Sequence, residues 1–118
     1  MILKLFSKAQ PWSYQLMRIV VGLVFACHGA QKLFGVLGAD RVSLLTQRGA
    51  AGIIEFFGGL LVAAGVAVTP VAFICSGEMA VAFFQNHWPK GFWPIQNGGE
   101  LAVLYCFVFL YISTRGAR

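Results

Sequence analysis

The sequence predicts an all-α membrane protein, a bundle of four transmembrane helices whose second and third members form a short hairpin. Three observations lead there. Of the 118 residues, 58% are hydrophobic and only 11% are charged, and the mean hydropathy of +0.76 lies far above that of an ordinary soluble domain. The apolar residues collect into four long runs. Finally, three of the four carboxylates, Glu55, Glu78 and Glu100, fall inside or at the lip of those runs, with Arg18, His28, Lys32 and His87 in or beside them. A lone charge facing lipid is expensive, so helices that carry charges should turn them toward one another.

The first run extends from Tyr14 to Phe34 and the second from Ala50 to Val68. At 1.5 Å per residue each can cross a hydrocarbon core of about 30 Å. The third, from Pro70 to Gln85, and the fourth, from Gly98 to Thr114, are shorter and need interfacial residues or local thinning to span. Thr69 and Pro70 leave almost no connector between the second and third runs, which predicts an antiparallel hairpin with Pro70 in the first helical turn, where its missing N–H is harmless. Both termini then share one side. The chain reads as a single integral membrane domain over 1–118, too short to carry a separate soluble catalytic module.

Lys4 and Lys8 before an apolar stretch ending at Ala26-Cys27 imitate a secretory leader. The apolar pattern continues through Phe34, however, and Phe25 stands where lipoprotein-type processing requires a small residue, so an uncleaved first helix is expected. Lys4, Lys8, Arg115 and Arg118 on the terminal side, against Arg41, Arg48 and Lys90 on the other, give a modest preference for cytoplasmic termini. The net charge of +5 is dispersed over ends and loops, with no basic strip of the kind that follows a phosphate backbone. Nucleic acid is not an expected partner.

Helical spacing places the polar residues on definite faces. Arg18, Gly22, Phe25, His28, Gly29 and Lys32 share one stripe of the first helix, which should face the other helices. In the second, Ala51, Glu55, Gly59 and Ala63 recur every four residues and flank the carboxylate with small side chains that admit a neighbouring helix. Arg18 and Glu78 lie roughly 6 Å and 12 Å along their helices from the terminal side, which predicts a buried ion pair between them. Lys32 is the expected partner of Glu55 or Glu100. Alternating spans bring His28, Lys32, Glu55, His87, Asn97 and Glu100 toward the opposite half, a candidate polar pocket for proton exchange or quinone binding. A set of interhelical ties would use the same residues.

Other chemistries find weaker support. His28 and His87, from two helices, are of the type that ligates haem, yet nothing else in the sequence demands a porphyrin. Glu55, Glu78, Glu100 and the histidines lack a compact metal-ligand spacing, so no metal is expected. Cys27, Cys75 and Cys106 are dispersed and contain no Cys-x-x-Cys pair, which argues for packing rather than thiol redox chemistry. The segment from His87 to Gly99, with Trp88, Pro89, Trp93 and Pro94, suits an interfacial anchoring loop; the alternative is a lid over the pocket, with Asn97 and Glu100 directed inward.

Arg18-x-x-x-Gly22-x-x-Phe25-x-x-His28-Gly29-x-x-Lys32-Leu33, Glu55-x-x-Gly58-Gly59 with Gly65, Met79-x-x-Ala82 with His87 and Gly91-Phe92, and Asn97-Gly98-Gly99-Glu100 occur in that order. This ordered set resembles the DoxX family of small four-span membrane proteins over nearly the whole chain. The family's Gly-Pro-Gly tail is not apparent, since the chain ends Thr114-Arg115-Gly116-Ala117-Arg118. The resemblance implies a bacterial inner-membrane protein associated with redox systems such as thiosulfate:quinone oxidoreduction and oxidative-stress complexes. It implies at most a membrane subunit of an oxidoreductase complex, with membrane lipid around it, a soluble oxidoreductase as partner and several copies in one assembly. No flavin or dinucleotide fingerprint is present, so electrons would need a quinone or a partner's cofactor. A small proton- or ion-coupled transporter or channel, or a structural scaffold, are the competing readings.

Overall fold

The computed structural model describes residues Met1–Arg118 and is helical throughout, with no strand. Two of its helical stretches, Ile2–Phe34 and Val68–Lys90, are long and apolar enough to cross a membrane.

Helix α1 (Ile2–Phe34) begins well before Tyr14, because Ile2, Leu3, Lys4, Leu5, Phe6, Lys8 and Ala9 contain no strong helix breaker and Pro11 is accommodated inside the helix. Those added turns are exposed. Burial starts at Tyr14 and follows Arg18, Gly22, Phe25, Ala26, Gly29 and Leu33; of the stripe that the spacing predicts, Arg18, Gly22, Phe25 and Gly29 are buried and His28 and Lys32 half-buried. The helix stops at Gly35, whose φ of 64° is left-handed and costs glycine nothing. Helix α2 (Gln47–Ala64) is capped by Thr46, whose side chain accepts from the Gly49 N–H at 3.1 Å.

Helix α2 ends at Gly65 rather than continuing to Val68. Helix α3 (Val68–Ala82) starts there, with Pro70 in its first turn, so the hairpin turn is Gly65–Ala67. It continues without interruption into a π-helical turn, Phe83–His87, and a 3-10 turn, Trp88–Lys90. After the one-turn helix α4 (Pro94–Asn97), helix α5 (Glu100–Arg115) returns antiparallel to α3.

The helices pack as two pairs, α1 with α2 and α3 with α5. In the first pair glycines let backbone meet backbone. A Cβ added at Gly22 would stand 2.6 Å from the Gly59 carbonyl oxygen, and one at Gly29 would stand 2.7 Å from that of Gly52. Close approach thus rests on Gly52 and Gly59, with Ala51 displaced from the contact. The second pair is tied by Ser76 Oγ donating to the Cys106 carbonyl at 2.7 Å and Ser113 Oγ to that of Thr69 at 2.8 Å. Between the pairs lies an aromatic layer, Phe25 against Phe109 at 4.7 Å and Tyr105 at 5.1 Å between ring centroids. At the terminal end Tyr14 donates to the Gly116 carbonyl at 2.5 Å.

Candidate functional site: a charged cavity between the helix pairs

At the end away from the hairpin the two pairs enclose a cavity of about 990 Å³. Helix α1 contributes Phe25, His28 and Lys32, α2 contributes Arg48 and Glu55, and α3 with its π-helical continuation contributes Glu78, Gln85, Asn86 and His87. Leu101, Ala102 and Tyr105 of α5 close the far wall. A π-helical turn is rare and recurs at functional sites. Here it presents three polar side chains to the cavity.

Lys32 Nζ donates to both carboxylate oxygens of Glu55, each at 2.7 Å. The Glu55 side chain is 1% exposed and that of Lys32 22%. Glu55 is enclosed because Gly52, Gly58 and Gly59 draw neighbouring helices over it. A carboxylate so dry is held by the charge-assisted bonds from Lys32, and removing either partner would strand the other. Glu78 stands beside Glu55 and within the influence of Lys32. Its Oε1 is buried and has no hydrogen-bond partner.

Of the residues expected in the pocket, the structure brings together His28, Lys32, Glu55 and His87. Asn97 and Glu100 lie elsewhere. Asn97 is buried within the connector, where Nδ2 donates to the Gly91 carbonyl at 2.9 Å and Oδ1 accepts from the Gly99 N–H at 2.8 Å. Its own carbonyl lies 3.2 Å from His87 Nδ1, so it positions the histidine from behind. Glu100 is exposed at the start of α5, beside a smaller recess with Pro94, Ile95 and Leu104. The tight Gly98-Gly99 passage turns the start of α5 so that Leu101 and Ala102 line the cavity instead.

The expected Arg18–Glu78 pair does not form. Arg18 Nη1 donates to the carbonyls of Val62 at 2.5 Å and Ala63 at 3.1 Å, and its other nitrogens reach Gln15 Oε1. A cation on the last carbonyls of α2 satisfies orphan acceptors and opposes the helix dipole. Two geometric facts separate the pair. Helix α1 packs on α2 rather than α3, and the hairpin sets Glu78 level with Glu55, about 10 Å along the bundle axis from Val62. Glu78 therefore joins the cavity cluster.

Sequence reasoning missed Arg48, Gln85, Asn86 and Tyr105. Gln47 and Gln85 hydrogen-bond to each other across the mouth. Neither glutamine has a local sequence signal, since they meet only when the hairpin closes; the π-helical turn that re-aims Gln85 has none either. All three cysteines are free, Cys75 buried against Gly58 and Cys27 exposed.

The DoxX family profile matches residues 14–88, from the first buried residue of α1 to just past the π-helical turn. The chain belongs to the DoxX family. Its sequence is also 40% identical over 121 residues to an uncharacterized protein of Haemophilus influenzae, covering 94% of this chain and 88% of that one. No solved structure matches. Family membership and the two long apolar helices together support placement in a membrane.

Proposed function

We propose that this DoxX protein is a four-span subunit of a redox complex in the bacterial inner membrane, and that its cavity takes the polar head of a quinone-type molecule. Helices α1, α2, α3 and α5 are the spans, with both termini on the cytoplasmic side. The observation that carries the reading is the buried Lys32–Glu55 pair in the wall of a cavity it shares with Glu78. A chamber of this volume, with apolar wall on one part and convergent polar groups on another, fits a small ligand. Phe25, Ile54, Met79 and Tyr105 supply the apolar surface and His28 and His87 flank the charged cluster.

His28 and His87 suit proton exchange because an imidazole ring carries two nitrogens that can donate and accept hydrogen bonds. Lys32 holds Glu55 in one orientation and balances its charge. The chain's own residues bind, orient and move protons; electrons enter from a soluble oxidoreductase partner, with lipid and further copies of the chain completing the assembly.

Purification in native lipid, followed by mass spectrometry of bound small molecules and proteins, tests this. Quinone and an oxidoreductase retained by the wild type, with quinone lost in Glu55→Gln at unchanged assembly, is the expected result. Assembly intact and quinone-free in both would overturn it. The second acid, Glu78, has no lysine of its own, which favours a competing reading as a proton- or ion-coupled transporter. Proton flux in liposomes that disappears in Glu78→Gln would establish that reading instead.

A further inference from the structure

We infer that the cavity opens sideways between α2 and α3, and admits from the bilayer an uncharged amphiphile whose head donates a hydroxyl hydrogen bond to Glu78. This inference rests on the cavity being a ligand site, as proposed above, and adds the entry route and the chemical form bound.

The seam between α2 and α3 is closed on its inner face and open on its outer one. Gly58 lies so near Cys75 that an added Cβ would stand 2.8 Å from the thiol sulfur, and Cys75 itself is fully buried. Two residues further along α3, on another face of that helix, the picture reverses. A Cβ at Gly77 would meet nothing within 4 Å, although Gly77 lines the cavity. Ala50 of α2 and Ile74 and Val81 of α3 also line it and are themselves exposed. Wall residues that are both cavity-lining and outward-facing mark an aperture: its flank along α2 and α3 is apolar, at Ala50, Ile74, Gly77 and Val81, while its outer end carries Gln47, Arg48, Gln85, Asn86 and Lys90. The Gln47–Gln85 hydrogen bond bridges the two helices at its outer edge. The apolar flank, along helices that cross a bilayer, faces acyl chains, so that side of the opening admits molecules dissolved there.

The form of the head follows from donors and acceptors. Lys32 is engaged with both oxygens of Glu55, whereas Glu78 Oε1 is a buried oxygen with no donor. A buried acceptor left unpaired is unfavourable, and a ligand hydroxyl would satisfy it. An oxidised quinone carries only acceptors and cannot. An ammonium head is opposed by Lys32, Arg48 and Lys90, three cations against the two carboxyls at the cavity. A neutral hydroxyl-bearing head, as in a quinol, meets both conditions.

The full chain in phosphatidylcholine nanodiscs, titrated with decylubiquinol and separately with decylubiquinone, tests both parts. Decylubiquinol should bind at least about tenfold more tightly than decylubiquinone, and Glu78→Met should abolish that preference. Gly77→Leu, which places a side chain in the aperture, should slow association of decylubiquinol about tenfold or more while the circular dichroism spectrum and melting temperature stay as in the wild type. Equal affinity for the two forms overturns the hydroxyl assignment. An association rate indifferent to Gly77→Leu overturns the lateral route. Binding of neither form refutes the earlier reading of the cavity as a quinone-type site, a different outcome from either of these.

Discussion

The two ends of this molecule use the same helices to opposite effect. At the hairpin end the buried polar groups are tied to backbone: Arg18 closes the last carbonyls of α2, Tyr14 reaches Gly116, and Ser113 reaches Thr69. At the other end Lys32, Glu55 and Glu78 surround empty volume, and one oxygen has no partner. Both ends carry charge in an apolar setting. What separates them is whether a charged side chain satisfies a helix terminus or faces another side chain across space, and only the second arrangement leaves room for a ligand.

The sharpest break between the ends should come from adding bulk. Gly59→Leu drives a side chain into the Ala26 backbone, where even a Cβ would stand 2.7 Å from its nitrogen, so loss of about 3 kcal/mol or more and failure to elute as a monodisperse species are expected. Gly77→Leu, in the open seam, should purify and melt like the wild type, as size-exclusion and thermal unfolding will show. Next in size is the ion pair. Glu55→Gln leaves the Lys32 ammonium beside a neutral amide and should lower stability by about 2 kcal/mol, less than for a fully buried pair because Lys32 retains some solvent. Adding Lys32→Met should return most of that loss.

Arg18→Leu comes third, at about 1.5 kcal/mol, the cost of withdrawing a charged donor from two carbonyls. Its effect should add to that of Glu78→Leu within about 0.5 kcal/mol, because the two sites share no contact; a larger coupling in the double-mutant cycle would restore the direct pair. Gln47→Ala should change stability least, by under about 0.5 kcal/mol, since both members of the Gln47–Gln85 bond are exposed.

Much of the helical plan was legible because a buried helical face needs a repeat of three to four, and Arg18 through Lys32 keep it without exception. The Lys32–Glu55 contact could be anticipated for the same reason, both residues lying on inward faces at one end. Glu78 was placed with the wrong partner because spacing fixes height along a helix but not which helices adjoin. Glu78 is measured from Pro70 and Arg18 from Tyr14, and nothing in the spacing sets those two starting points against each other. Asn97 and Glu100 were misdirected by a connector whose path depends on hydrogen bonds among its own backbone groups. The start of α1 was read too late, since hydropathy marks where a helix is buried and says nothing of where it begins.

The glycine contacts of α1 with α2 carry a mechanical consequence. Backbone seated on backbone leaves no compliant side chains to deform, so that pair behaves as one stiff plate, while α3 and α5 form a second plate joined to it by the Gly65–Ala67 turn and a sheet of rings. Such an object bends most easily like a book on its spine, and the angle between its covers would set how wide the far edge stands.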